Sequence, residues 1–225
     1  MPQQVKSKQR VQDHGEVFTN EREVNAMLDM VKQETERIES RFLEPACGNG
    51  NFLAEVLRRK LAVVAQQYRR SPDDYMRYAF VAVSSLYGVD ILEDNAQECR
   101  ERLYGIVGKE AKRAIKKPDA LFLESIRYVL DKNIVCGNAL DLRTSEGEPI
   151  VFSEWSLVTG DKVKRRYFHL SALLDDQPKQ KSNPSLFDER PVIPDLEFDE
   201  GTQSFIPKPF DEEPPINYWE VRRHG

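Results

Sequence analysis

The run Phe42-Leu-Glu-Pro-Ala-Cys-Gly-Asn-Gly-Asn-Phe52 constrains this chain more than any other stretch. A short apolar-centred segment, Arg41 to Glu44, enters a loop of proline, small residues and two glycines. A helical stripe begins directly behind it at Leu53, Val56, Leu57, Leu61 and Val64. Glycine takes backbone angles, and allows close approaches, that a Cβ would forbid. Strand, glycine turn and helix in that order open a βαβ unit.

The rest of the body continues in kind. Asn20 has N-cap chemistry with Glu23 three residues on, and Val24, Met27, Leu28 and Val31 form a half-buried helical stripe. A helix is expected around Pro72–Ala82, then a second strand over Leu86–Ile91 ending in the carboxylate of Asp90. Ala96, Cys99, Leu103 and Val107 mark the next helix. Pro118 suits the first position of another, whose face is Phe122, Ile126, Val129 and Leu130. Asn133–Cys136 reads as a third strand, closed by Gly137-Asn138-Ala139-Leu140. Alternating strands and helices predict an α/β parallel sheet with helices on both faces. The alternation then stops. Ile150–Val158 and Val163–Leu170 are two strands joined by Thr159–Lys162, a connection short enough only for an antiparallel pair.

Charge divides the chain further. The 225 residues carry 33 basic and 38 acidic side chains, net −5, which excludes a protein that coats nucleic acid with a basic surface. From Asp175 onward there are 12 acidic and 6 basic residues, so residues 1–174 carry +1; the same 51 residues hold 8 of the 13 prolines. Apolar residues there (Phe198, Phe205, Phe210, Trp219) stand alone, without period. The expected organisation is a polar lead-in over 1–14, a domain over 15–174, and over 175–225 a Pro-rich acidic arm. The arm is either disordered or laid along the body or a partner. Cys47, Cys99 and Cys136 are odd in number and far apart, which fits neither a disulfide framework nor a zinc site. No apolar run approaches a membrane span and the start is polar, so a soluble cytoplasmic protein without a membrane partner is expected.

Three strand ends on one edge of a parallel sheet form a ligand crevice. The first offers Glu44 and the Gly48–Gly50 turn, the second Asp90, placed for a ribose diol, and the third Asn138, an amide able to read a base. That set describes a nucleoside-bearing cofactor. There is no third glycine, and Asp90 follows Gly48 by 42 positions instead of about 20, so a nicotinamide dinucleotide site fits poorly.

The same residues resemble a known family. Phe42–Phe52 resembles the S-adenosyl-L-methionine-binding motif of DNA adenine-N6 methyltransferases, especially the modification subunits of restriction systems. Gly15-Glu-Val-Phe-Thr19 resembles the element that precedes it there, with Asn20 where that family usually has proline. Tyr87-Gly-Val-Asp-Ile91 and Cys136-Gly-Asn-Ala-Leu140 resemble its second and third motifs.

The resemblance implies a Rossmann-like class I methyltransferase fold, truncated or variant, ending in an antiparallel hairpin and an extended arm. It implies that Glu44, Pro45, Ala46, Cys47, Gly48, Gly50 and Phe52 hold the amino-acid end of the cofactor, and that Phe18 and Thr19 cover it. Asp90 would hold the ribose, Ile91 and Leu140 sandwich the adenine, and Asn138 with Ala139 recognise it. Such enzymes clamp the extruded base with Asn/Asp-Pro-Pro-aromatic after a fourth strand. Here Trp155–Asp161 holds no such motif, and the near match Asn183-Pro184-Ser185-Leu186-Phe187 sits in the arm. The catalytic residues are therefore unassigned. Two functions follow: a methyltransferase whose base clamp comes from an unrecognised loop or a second protein subunit, or a catalytically inactive cofactor-binding or antirestriction-type partner. Lys162, Lys164, Arg165 and Arg166, beside Tyr167 and Phe168, are the candidate DNA contacts. They could instead be the basic face of a strand, or pair with the acidic arm.

Overall fold

A computed structural model of the chain describes residues 6–14, 18–174, 196–199 and 204–224. In chain order its elements are α1 (Lys8–His14), α2 (Glu21–Met30), α3 (Lys32–Glu36), β1 (Phe42–Glu44), α4 (Asn51–Tyr68), α5 (Pro72–Ser84), β2 (Leu86–Asp90), α6 (Glu93–Ile115), α7 (Ala120–Asn133) and β3 (Ile134–Asn138). There follow β4 (Arg143–Thr144), β5 (Val151–Thr159), β6 (Lys162–His169), α8 (Leu170–Leu174), β7 (Leu196–Asp199), β8 (Ser204–Pro207), β9 (Asp211–Glu212), β10 (Ile216–Asn217) and a 3₁₀ turn, Tyr218–His224.

Local chemistry sets the helix starts. The Asn20 side chain accepts the Glu23 N–H at 3.0 Å, as its spacing predicts. Ser71 caps α5 ahead of Pro72. At α7 the structure departs from expectation: Asp119 accepts the Leu121 N–H at 2.7 Å and becomes the cap. Pro118 therefore stands one residue before the cap, because the carboxylate captures the first free amides more directly than proline's fixed φ can start a turn.

β1, β2 and β3 are parallel and adjacent in that order, pairing Leu43 with Tyr87 and Val89 with Val135. The two-residue β4 closes the far edge antiparallel to β3, so the fold is mixed α/β with a mixed sheet. The expected placement of helices on both faces holds only for the short α8; the long crossover helices share one face. Right-handed crossovers that step through a sheet in one direction put every helix on the same side. Accordingly α4 to α7 pack on one another over Leu86, Ile134, Leu53, Phe80 and Phe122. The other face is covered by the β5–β6 hairpin and α8, through Tyr87, Val89, Ile150, Phe152 and Leu170, with the Tyr87 and Phe152 rings 5.2 Å apart.

The acidic arm contributes to this body. β9 and β10 pair antiparallel with β6, and the 3₁₀ turn buries Tyr218 and Val221 against the helical core. Of the two alternatives read from the sequence, the described part of the arm takes the one laid along the body; periodless spacing could not choose between them, because a tail needs only a few anchors when the surface it lies on is already built.

One charge sits inside the core. Lys60 is fully buried and donates to the carbonyl oxygens of Ile38 and Ser40 and to the Ser85 hydroxyl, so it ties the segment before β1 to α5. Burial lowers its pKa from the ordinary 10.5 to about 7. Between those values the unfolded chain holds a proton that the folded chain has released, so stability rises with pH from about 7 toward 10. The slope reaches at most about 1.4 kcal/mol per unit. Urea titrations across this range check it: Lys60→Met should flatten the rise, and an unchanged slope would place its origin elsewhere.

Candidate functional site

The C-terminal ends of β1, β2 and β3 border a cleft of about 600 Å³. All the residues proposed from the sequence to hold a cofactor line it, except Gly50. The loop after β1 turns with Gly48 at φ 51° and Gly50 at φ 82°, both left-handed. Gly50 is structural: a Cβ there would lie 2.6 Å from Cys99 Sγ and 3.3 Å from Cys99 Cα on α6. Gly50→Ala is therefore expected to cost about 2–4 kcal/mol of stability, from backbone strain plus overpacking. A thermal melt within a degree of the parent would contradict this.

Asp90 braces the cleft floor. Its Oδ2 accepts the Gly48 N–H at 2.8 Å, and its Oδ1 accepts the Leu92 N–H at 3.0 Å and the Asn95 amide at 3.2 Å. One buried carboxylate thus fixes the glycine turn to the start of α6. Glu44 is half-buried, and desolvation raises its pKa although the Ala46 N–H partly offsets this. A partly desolvated carboxyl of this kind favours a cationic neighbour. The Cys47 thiol, beside Cys99 and largely buried, is pushed far above its ordinary value, which removes it as a thiolate nucleophile.

At the mouth the chemistry changes. Ile91 and Leu140 are 55 % and 92 % exposed, two large apolar side chains in water on neighbouring strand ends. Asn138 lies between them in sequence but is occupied: its Oδ1 accepts the Leu140 N–H at 2.9 Å and its amide donates to Asp141 at 2.7 Å. It closes an Asx turn, so reading a base would require that turn to open or the amide to be shared. Asn49 Oδ1, in the glycine turn, is buried with no hydrogen-bond partner. Among the described residues lining the cleft the only charged ones are Glu44 and Asp90, both acidic.

Two features escaped sequence reasoning. The Asn51 amide donates to the Thr19 carbonyl at 3.0 Å, and Arg102 donates to Asn51, which holds Phe18 and Thr19 over the glycine turn. A Cβ on Gly48 would come within 3.1 Å of the Phe18 ring. Gly15 to Val17, the rest of that element, lie outside the described residues. The expected lead-in is in part a helix, α1, clamped to the start of α6: Arg10 reaches Asp94 at 2.6 Å and Lys6 reaches Glu98 at 2.6 Å. The Arg10 guanidinium, with Lys6, holds Asp94 at about 2. The i, i+4 spacing of Lys6 and Arg10 opposite the acidic Glu93-Asp94 pair was the available signal.

The basic run on β6 is not a free cationic surface. Strand alternation turns Arg165 inward, where it is buried with its guanidinium 4.8 Å from the Trp155 ring and 4.5 Å from that of Tyr167. It donates to Ser153 Oγ and the Tyr128 hydroxyl and pairs with Glu213. Lys164 pairs with Glu212 at 2.7 Å and Arg166 with Glu154 at 2.6 Å; Lys162 is exposed. The acidic arm thus neutralises part of the run expected to meet DNA. The near match Asn183–Phe187 lies outside the described residues.

Among the described residues no helix is long and apolar enough to cross a membrane. No family model matches the chain, and no solved structure matches it. Over 132 residues, 57 % of its length, it is 30 % identical to the protein of Methanocaldococcus jannaschii named "Putative type II restriction enzyme and methyltransferase RM.MjaORFECS2P". The matched region is 10 % of that protein, so the chain spans about a tenth of the curated relative and is similar to one portion of it.

Proposed function

We propose that the cleft at the ends of β1 to β3 binds S-adenosyl-L-methionine, and that the chain serves DNA adenine-N6 methylation in a restriction-modification or phage system, with DNA as the substrate of the assembled enzyme. One observation carries this choice of ligand: a cleft built on a glycine turn whose charged lining residues, among those described, are all acidic. A phosphate-bearing nucleotide would meet two carboxylates and no cation there, whereas a cofactor carrying an ammonium and a sulfonium would be drawn in. Glu44 is the acceptor for the ammonium. Asp90 keeps the turn in shape and presents its remaining acceptor capacity to a ribose hydroxyl. Ile91 and Leu140 give the adenine two apolar surfaces, at the cost of standing in water when the cleft is empty. Phe18, latched through Thr19 and Asn51, covers the methionine end and excludes water. The similarity to the M. jannaschii protein supports the same class of activity.

When bound, the cofactor supplies a methyl group on a positively charged sulfur. The chain's own residues bind it, orient it and shield it. Among the described residues no Asn/Asp-Pro-Pro-aromatic run follows β3, which favours a second reading: a cofactor-binding subunit that is silent by itself. Tritiated methyl transfer to unmethylated DNA, by the chain alone and in its assembled state, separates the two.

Cofactor binding has a clean test because Ile91 and Leu140 are exposed. Replacing either with serine should leave the melting temperature unchanged while weakening calorimetric affinity by about tenfold, since burying one apolar side chain against the base is worth about 1.5 kcal/mol. Equal affinities for parent and variants would move the adenine elsewhere, and no heat with either the donor or its demethylated product would end the proposal.

A further inference from the structure

The hydrogen bonds that hold Asp90 continue outward to α1. Asn95, in the first turn of α6, is 1 % exposed and still borders the cleft. Its Nδ2 donates to Asp90 Oδ1 at 3.2 Å. Its own Oδ1 accepts from Lys6 Nζ at 2.9 Å and from Arg10 Nη2 at 3.2 Å. Both cations are held in turn by acids on α6, Arg10 by Asp94 at 2.6 Å and Lys6 by Glu98 at 2.6 Å. An amide has an accepting end and a donating end. With its oxygen against two cations, only the NH₂ end of Asn95 can meet the carboxylate. The cations also draw electron density toward the amide oxygen, which strengthens the N–H as a donor.

An ionised carboxylate has about four lone-pair sites, two on each oxygen. On Asp90, Oδ1 takes two donors, the Leu92 N–H and the Asn95 amide, and is full. Oδ2 takes one, the Gly48 N–H. Among the described residues this leaves a single acceptor site, on the oxygen that already faces the glycine turn. A vicinal diol laid symmetrically across a carboxylate needs one site on each oxygen. Asp90 lacks the second because Asn95 occupies it. We propose that Asn95 is a positioning residue that makes Asp90 a one-point acceptor: the cleft reads one hydroxyl of the cofactor's ribose through Oδ2, and Asp90 is indifferent to the other. The inference rests on the binding function proposed above. It adds which oxygen receives the sugar, how many hydroxyls that oxygen reads, and which residue sets the number.

A purely structural Asn95 would behave differently. Were it only the tie between α1 and α6, its loss would lower stability and weaken every ligand of the cleft alike. The ratio between two ligands that differ by one hydroxyl would then stay fixed. A residue that fills Oδ1 changes that ratio, because removing it opens a second acceptor site on the same carboxylate. The ratio is therefore the quantity to measure, and it does not depend on catalysis.

To test this, the full chain is titrated calorimetrically with S-adenosyl-L-homocysteine and with its 2′-deoxy and 3′-deoxy forms. The parent should bind one deoxy form within about twofold of the ribose form and the other about tenfold or more weakly, as expected for one lost hydrogen bond to a charged acceptor. In Asn95→Ala the second site is open, so the tolerated deoxy form should fall about fivefold or more behind the ribose form. The pair Lys6→Gln and Arg10→Gln, at side chains 24 % and 25 % exposed, releases the amide without opening the core. It should move the same ratio by about threefold, and it carries the test if Asn95→Ala does not fold. Equal losses for the two deoxy forms in the parent would overturn the inference, as would indifference to both. So would variants that keep the parent's ratio, whatever their affinity or melting temperature. No heat with the ribose form ends the binding function and this inference with it. Heat with equal losses for the two deoxy forms ends this inference alone.

Discussion

Deleting residues 208–225 should lower the melting temperature by about 8–16 °C. The segment carries Tyr218 and Val221, both almost fully buried against the helices, and Phe210 stacked on His169 at 4.3 Å. It also supplies β9 and β10, the strands that cover β6, and Glu213, the acidic partner of buried Arg165. Losing one large and one medium side chain from a core costs about 4 kcal/mol by transfer alone. For a chain of this size each kcal/mol moves the midpoint by about 2–4 °C. Calorimetry of the truncated chain beside Tyr218→Ala and Glu213→Gln apportions the loss. Tyr218→Ala should account for about 3 kcal/mol or more. A truncated chain that melts with the parent would mean that the arm does not pack in solution.

Asp90→Ala should be the most damaging single change to the site. It removes the acceptor for the Gly48 and Leu92 amides and the Asn95 side chain. Donors left unpaired at a buried position cost about 1–3 kcal/mol each, so stability should fall by about 3 kcal/mol. The glycine turn loses its brace as well as the cleft its carboxylate, and cofactor affinity should drop by about a hundredfold, the equivalent of two factors of 1.4 kcal/mol. Asp90→Asn keeps one oxygen for the Gly48 amide but turns an NH₂ group toward donors, so it should retain part of the stability and little of the binding. Calorimetric titration well below each variant's melting point separates folding from affinity. Parent-like affinity in Asp90→Ala would take the ribose away from this residue.

The parts legible in advance share a cause. Strand, turn and helix from Phe42 to Val64 are encoded by period and by glycine, both local, and the structure has them where the spacing puts them. The three strand ends were legible because consecutive parallel strands bring their C-terminal ends to one side. The state of Asn138 was not: whether its amide faces a ligand or closes a turn depends on Leu140 and Asp141 meeting it in space. Arg165 misled for the same reason, since a basic strand reads alike whether its guanidinium meets water or lies between Trp155 and Tyr167. For the arm the sequence left disorder and packing along the body both open, and for the described residues the structure shows packing; Tyr218 and Val221 have no neighbours in sequence that signal burial.

Sequence by itself therefore determined the elements, the glycine turn, the hairpin and the cluster of cofactor candidates, all set by interactions within a few residues or by strand direction. Only the tertiary structure decided that the long helices share one face, that Asp90 is a brace, and that within the basic run Lys164 and Arg165 are paired by Glu212 and Glu213. Those outcomes depend on strand order and on which distant charges meet, and neither is written in any local stretch of the chain.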